Sequence, residues 1–384
     1  MTKTQTEAIT ARASEIVAAV LYGKKDMRIE TKVIQPPASS ELQVIVTETG
    51  ICGSDLHYYH HGRNGDFALQ HPLSLGHESA GVVTAVGSAV SDFKVGDRVA
   101  LEVGIPCSEC KRCKKGRYNL CPAMRFRSSC KTAPHFDGTL VQKVNHPAKW
   151  CHKVPAVIKD LSLAALVEPL AVSLQGIKRS EMSPEDEATV LVLGAGAVGL
   201  LTAFAAKKRG GAKEVVIADI SAQRVSFAVE NGFADQGIVL SGSKPADVDN
   251  PLSPAIASAN FLKEKAGADD GFDVVFECTG VQICVQTSVF AAGAGAKVVL
   301  IGMGTPIQTF AIGSAATREV DIIGVFRYAG NYPDALAIVA EDGDTVGKLV
   351  THRMKLQDAV DAFEVASTPV DKDGNLVLKV IITQ

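Results

Sequence analysis

The sequence predicts an α/β protein of two parts. One is a doubly wound parallel sheet, and the other is a β-rich part. Three observations predict it. Residues 191–224 run from an apolar segment through Gly194-x-Gly196-x-x-Gly199 and a helix-compatible stretch to a second apolar run ending at Asp219. Helical and strand-like patterns alternate after residue 163, whereas the earlier segments are short β runs between Gly and Pro turns. At 384 residues the chain is long for a single core.

Bulk composition narrows the functional classes. With 46% hydrophobic and 21% charged residues the chain is globular rather than disordered. A net charge of −3 provides no basic field, so no nucleic-acid partner is expected. MTKTQTEAITARASE lacks a signal-peptide core and no apolar run is long enough for a bilayer, so a soluble, cytoplasmic protein without a membrane partner is expected. Four of the nine cysteines crowd into residues 107–121, which suits metal-bound thiolates in a reducing compartment better than disulfides.

In chain order, residues 1–15 read as a loose polar arm. Val17–Leu21, Met27–Ile29, Leu42–Glu48, Val82–Val86 and Arg98–Leu101 read as short strands. A dispersed group of potential ligands comprises Cys52 in GICGSD, His77 and Glu78 in LGHESAG, and Glu168 in LVEPLAV. Zinc accepts sulfur, imidazole nitrogen and carboxylate oxygen, and a catalytic zinc keeps one position open. Spacing alone leaves this group open, because buried cysteine also serves as a small hydrophobe. Cys107-x2-Cys110-x2-Cys113-x7-Cys121 is more specific. Four sulfurs suit zinc or an iron–sulfur cluster, and the late fourth cysteine departs from the ferredoxin run, which favours a structural zinc. Cys130 and Cys151 fall outside the spacing and read as ordinary thiols.

Leu163–Lys178 reads as a helix broken by Pro169 and leads into the sheet. Strands are expected over 191–193, Val215–Ile220, Gly237–Leu240, Phe272–Cys278, Ala296–Ile301 and Val320–Phe326, with helices over Ala222–Glu230, within Asn250–Ala268 and over Val281–Gly293. Gly194 permits the tight turn, Gly196 lets backbone approach a pyrophosphate, and Gly199 lets helix pack on strand. The phosphates would sit at the helix N-terminus. Asp219 would accept from both ribose hydroxyls and repel a 2′-phosphate, which favours NAD; Arg224 either lies over the adenine and ribose or is a solvated helix residue. Thr279, Gly280, Gly302, Gly304, Phe326 and Arg327 follow the strand ends and are expected to line the cleft. Helices over Tyr332–Glu341 and Leu356–Ala366 and strands over Leu349–His352 and Asn375–Ile382 make a tail able to return to the first part.

GICGSDLHYYHHGR, PLSLGHESAGVV, VGDRVA, the cysteine cluster, ALVEPLAV and VLGAGAVG together resemble the zinc-dependent medium-chain dehydrogenase/reductase family. EPLAV and the VFRY at 325–328 resemble its polyol dehydrogenase branch, which acts on sorbitol, xylitol and L-arabinitol. The resemblance implies a β-rich GroES-like catalytic domain over 1–168 and 330–384, wrapped around a Rossmann-type NAD domain over 169–329. It implies catalytic zinc on Cys52, His77 and Glu78, with Glu168 touching zinc directly or through its water, and structural zinc on Cys107, Cys110, Cys113 and Cys121. Val198, Asp219, Arg224, Val325, Phe326 and Arg327 match cofactor contacts. Tyr58, Phe126, Glu168, Arg327 and Tyr328 match the substrate pocket. The implied reaction converts sorbitol or xylitol to the ketose, with L-arabinitol as the alternative. The zinc would activate the alcohol, the proton would leave through Ser54 and His57, and hydride would pass to NAD. Relatives of this branch imply a homotetramer. The competing readings are a dehydrogenase of simple alcohols and a non-enzymatic NAD(H) sensor.

Overall fold

The computed structural model of the chain describes residues 13–241 and 250–384. Most of the arm expected over 1–15 lies outside these, and Ser14 already opens a strand. Ser14–Gly23 pairs antiparallel with Asp26–Ile34, turning through Lys24 and Lys25, the latter left-handed at φ 56. Both strands outrun the short apolar runs that announced them, because ladder hydrogen bonds extend a strand through polar residues.

A seven-stranded sheet carries the first part. At its centre Glu41–Gly50 pairs antiparallel with Glu78–Val86, with Lys143–Pro147 and with Lys379–Thr383. Val350–Lys355 continues the sheet beyond Lys379–Thr383 as a parallel neighbour. The last strand of the chain therefore lies beside one of the first. It is shorter than the expected Asn375–Ile382, since the Asp371 carboxylate accepts from the backbone N–H of Asp373 and Asn375 and from the Asn375 amide. Such local side-chain bonding holds a turn where the pattern suggested a ladder.

The second sheet has six parallel strands in the order Gln236–Val239, Glu214–Asp219, Thr189–Leu193, Phe272–Glu277, Ala292–Leu300, Asp321–Gly324. Leu191, Val192, Ile217, Val275 and Val298 are fully buried, as strands covered on both faces require. Burying each such side chain stabilises by about 1.5–3 kcal/mol. The strand order reverses beside Thr189–Leu193, which places a cleft at its C-terminal end.

Three boundaries differ from expectation for physical reasons. The helix Gln282–Ala291 stops before Gly293, and Ala292 already begins the next strand. Glycine destabilises a helix interior, and a Cβ on Gly293 would stand 2.9 Å from the Asp270 carbonyl oxygen, so the backbone of the turn before the strand Phe272–Glu277 packs closely against it. Helix Leu161–Ala165 ends at Leu166, and Val167–Ser180 follows with Pro169 in its first turn, where a missing N–H costs little. Glu168 is thereby buried at a helix start. Finally, the edge strand stops at Gly324 rather than Phe326, and Arg327 turns left-handed at φ 53, so the chain leaves the sheet towards the cleft.

Candidate active site

Cys52 is the N-cap of the helix Gly53–His61, and Glu78 opens the strand Glu78–Val86 beside the central one. The ligand atoms of Cys52, His77 and Glu78 lie within 4.8 Å of one another. His77 is oriented from behind: its Nδ1 lies 3.3 Å from Oδ1 of Asp55. Asp55 is itself fixed by Ser128 Oγ at 2.7 Å and by the backbone N–H of Gly76 at 3.1 Å and of Cys52 at 3.1 Å. The contact is an ion pair rather than an aligned hydrogen bond, and a carboxylate behind one ring nitrogen favours the orientation that turns the other towards a metal. Ser54 Oγ lies 3.4 Å from that other nitrogen, Nε2. His57 is exposed further along the helix, with the His61 ring as a neighbour at 5.9 Å. Partial burial, then His61 and His60, lower its pKa.

The donor set fits a divalent cation. Burial lowers the His77 imidazole, yet Asp55 and Cys52 raise it well above its ordinary value. The site therefore already favours positive charge. Lys379 meets part of that demand: its Nζ is 2.7 Å from both Glu78 oxygens and 3.0 Å from the Ile51 carbonyl. Gly50 leaves the space for Glu78, since a Cβ there would lie 2.1 Å from Oε2.

Glu168 stands outside this compact trio. Burial pushes its carboxyl up to about 7, with His77, Tyr328 and Lys379 pulling it down and Glu78 adding to the rise. The Phe126 ring lies tilted against the His77 ring, centroids 5.6 Å apart, and the Arg327 guanidinium lies 3.7 Å over the Phe126 ring. Burial lowers Arg327 to about 10, and its buried Nη1 lacks a protein partner. The buried Tyr328 hydroxyl also lacks one. Unpaired buried donors are costly and mark a place for a polar ligand. Tyr58 differs: it is 1% exposed and its hydroxyl accepts from the Cys130 N–H at 3.1 Å. Its ring packs the wall, while its electrostatic influence reaches Arg327.

At the strand reversal, Gly194 is left-handed at φ 100, and a Cβ on Gly199 would lie 1.8 Å from the Gly194 carbonyl oxygen. The helix Ala197–Lys208, in which Val198 is the second residue, starts directly above. Asp219 accepts from Ala195 N–H at 2.7 Å and Ser221 N–H at 2.8 Å, so it ties the glycine turn to the next helix. Arg224 reaches to within 3.9 Å of a Cβ placed on Gly196, and its Nε is buried without a partner. It therefore overhangs the turn rather than pointing to solvent. Across the cleft, Glu277 accepts from Thr279 and from the Gly280 N–H at 2.9 Å. A Cβ on Gly302 would stand 2.2 Å from the Gly280 nitrogen, so both loops need glycine to meet. Val325 is anchored to Leu300 at 3.0 Å, and Phe326 is exposed beside it.

In the cysteine lobe the sulfurs of Cys110 and Cys113 are 3.5 Å apart, Cys107 and Cys121 3.6 Å, and Cys107 and Cys113 4.0 Å. Tetrahedral zinc with bonds of about 2.3 Å separates its sulfurs by ~3.8 Å. A disulfide would need a separation of about 2 Å. The donor set and spacing fit a tetrahedral metal.

Residues 38–156 match the alcohol dehydrogenase GroES-like domain family, and residues 197–341 match the zinc-binding dehydrogenase family. Sorbitol dehydrogenase of Bos taurus is 39% identical over 97% of this chain and 98% of its own. That of Rattus norvegicus is 40% identical over 96% of each. The chain belongs to the zinc-dependent medium-chain dehydrogenases, in their polyol branch. Among solved structures, L-idonate 5-dehydrogenase of Escherichia coli superposes with a TM-score of 0.83 at 28% identity, covering 97% of this chain and 100% of that one. The 2R,3R-butanediol dehydrogenase of Bacillus subtilis gives 0.78 at 26%, covering 96% and 99%. The dehydrogenase is thus a two-domain enzyme, a GroES-like domain joined to a Rossmann-type NAD-binding domain, and it performs zinc-dependent, NAD-linked oxidation of a polyol.

Three groups that organise the site of this dehydrogenase carry only indirect marks in the sequence. Asp55 carried a signal, an acid three residues beyond a helix N-cap. Lys379 and Glu277 carried another, a charged residue inside an apolar strand, which must find a buried partner.

Proposed function

We propose that this dehydrogenase oxidises a sugar alcohol, sorbitol or xylitol, to the corresponding ketose with NAD. The observation that carries the substrate class is the Arg327 guanidinium, held over Phe126 with a buried unpartnered Nη1 beside Glu168 and Tyr328. A simple alcohol has no second hydroxyl for such a donor, whereas a polyol does, and a site built for hydroxyls rejects ligands lacking them. The names of eight similar relatives, all sorbitol dehydrogenases, point the same way.

Cys52, His77 and Glu78 would hold the catalytic zinc, which supplies Lewis acidity towards the alcohol, and NAD accepts the hydride. Asp55 fixes the His77 ring. Ser54, beside His77 Nε2, would take the alcohol proton, and His57, three residues along the same helix, would pass it outward. His57 is suited to this by its lowered pKa, which keeps it neutral and able to accept. Glu168, near 7, can hold or release a proton beside the ligand trio. Phe126, against the His77 ring, and the buried Tyr328 would shield the reacting carbon from water. Asp219 and Arg224 would take the adenosine ribose, with Gly194, Gly196, Val198 and Gly199 under the pyrophosphate and Thr279, Gly302, Val325 and Phe326 along the nicotinamide side.

The same reading divides the chain into a catalytic domain over 1–168 and 330–384 and an NAD domain over 169–329. The tail strand Lys379–Thr383 in the first sheet supports that division. The second zinc would sit on the four cysteines. Nine free thiols suit the cytoplasm, and the family resemblance suggests a homotetramer. Among the described residues no helix is long and apolar enough to cross a membrane.

Steady-state kinetics on sorbitol, xylitol, L-arabinitol and ethanol, each with NAD and NADP, test the proposal. The expected result is a kcat/KM for one of the first two with NAD at least ~100-fold above that for ethanol. Preference for L-arabinitol would move the assignment within the branch, and preference for ethanol would overturn it.

A further inference from the structure

The cysteine lobe does more than close on itself. Between Cys113 and Cys121 it presents the short 3₁₀ turn Tyr118–Leu120, and this turn reaches the segment that carries Arg327. The Asn119 amide donates to the Phe326 carbonyl at 2.8 Å. Four residues later, the Gly330 N–H donates to the Tyr118 hydroxyl at 2.6 Å. The two contacts bracket Arg327 and Tyr328.

Each contact is itself built. Tyr118 donates its proton to Glu102 Oε1 at 2.5 Å. A carboxylate only accepts, so this bond leaves the phenol oxygen a lone pair for Gly330. Glu102 is 1% exposed, and its second oxygen is held by His152 Nε2 at 2.7 Å. The Tyr118 ring packs 5.0 Å from Trp150, and Asn119 is buried. The segment they hold has reason to need holding. Arg327 is left-handed at φ 53, which a side chain other than glycine adopts only when its surroundings enforce it. Between the anchors, the Ala329 N–H is shared by Gln175 and Asn331.

We infer that Tyr118 and Asn119 are positioning residues for the reaction: through Phe326 and Gly330 they fix the backbone of Arg327, and so couple the four-cysteine lobe to recognition of the polyol. This rests on the proposed reading of Arg327 as the group that takes substrate hydroxyls. Neither residue touches the metal trio, and they act only through the segment.

Two measurements test it. The first is independent of turnover: hydrogen exchange in the full-length zinc-loaded enzyme. Tyr118→Phe and Asn119→Ala should each raise exchange across residues 325–330 while leaving the glycine turn at 194–200 unchanged. Unaltered exchange at 325–330 overturns the inference whatever the enzyme's substrate. The second is a kinetic double-mutant cycle. Asn119→Ala should raise the polyol KM about tenfold, the scale of one lost hydrogen bond, with KM for NAD and kcat within about threefold. Placed on Arg327→Ala, it should add almost nothing. Independent effects of the two substitutions, or equal rises in the KM for polyol and for NAD, would reduce Tyr118 and Asn119 to a folding role. A parent enzyme inactive on every polyol would instead sink the polyol reading, and the exchange measurement would still decide the clamp.

Discussion

Both oxygens of the Glu78 carboxylate lie 2.7 Å from Nζ of Lys379, across 301 positions of chain, and both side chains are buried. The strand Lys379–Thr383 thus neutralises a ligand candidate at the start of the strand Glu78–Val86. Breaking such a buried pair from one side costs about 3–5 kcal/mol, because the other charge is left uncompensated.

Lys379→Met should therefore lower the Tm, and lower it more in chelator-treated enzyme than in enzyme with added zinc. A cation on Glu78 would take over the neutralisation that Lys379 provides. Differential scanning calorimetry under the two conditions checks this, and equal losses would mean that Glu78 does not sense the metal.

Cys52→Ser should remove one metal equivalent per chain and lower kcat on the order of 10³-fold, several kcal/mol of lost Lewis-acid assistance. NAD affinity, measured by fluorescence titration, should stay within about threefold, because the glycine turn belongs to the other sheet. Joint loss of metal and NAD binding would contradict this division of labour.

Asp219→Ser should raise the ratio of kcat/KM for NADP to that for NAD, through loss of the repelling carboxylate. Asp219 also ties Ala195 to Ser221, so the NAD KM should rise as well, by about tenfold for two charge-assisted hydrogen bonds partly replaced by serine. An unchanged cofactor ratio would assign discrimination to Arg224 instead.

Cys121→Ser should reduce bound metal by one equivalent and lower the Tm, while leaving the Cys52 site loaded. Element analysis paired with thermal denaturation reads both. Retention of two equivalents would show that three cysteines suffice for the lobe.

Burial, with Asp160 adding to it and Arg353 opposing, lifts the Glu48 carboxyl from 4.5 to about 7, and its Oε2 is buried without a partner. The folded state holds this proton more tightly than the unfolded one, so ionisation costs stability. That cost begins to grow near pH 4.5 and is complete above about 7. Glu48→Gln should gain Tm over the parent from pH 5 to 7 and level off beyond. A gain that is flat with pH would assign the effect to packing.

The glycine turn, the cysteine spacing and the parallel strands could be read along the chain because each is local. Gly194, Gly196 and Gly199 are dictated by contacts within one strand–turn–helix unit, and Cys107 to Cys121 by one short loop. The role of Asp55 was within reach on the same ground. Boundaries near small or turn-forming residues were not: Ala292 joins a strand because it pairs with Phe272 across the sheet, and the tail strand starts late because Asp371 captures the preceding turn.

By itself the sequence determined the two-part α/β architecture, the dinucleotide turn and the residue types able to hold two metals, since periodicity and short-range spacing carry that information. Only the tertiary structure decided which distant groups share a charge or a hydrogen bond. It set Lys379 on Glu78, buried Tyr58 in the wall, left Arg327 with a free donor and laid Tyr118 and Asn119 against its backbone. These pairings are made by folding the chain back on itself, and buried polar groups accept whichever partner the packing brings within reach.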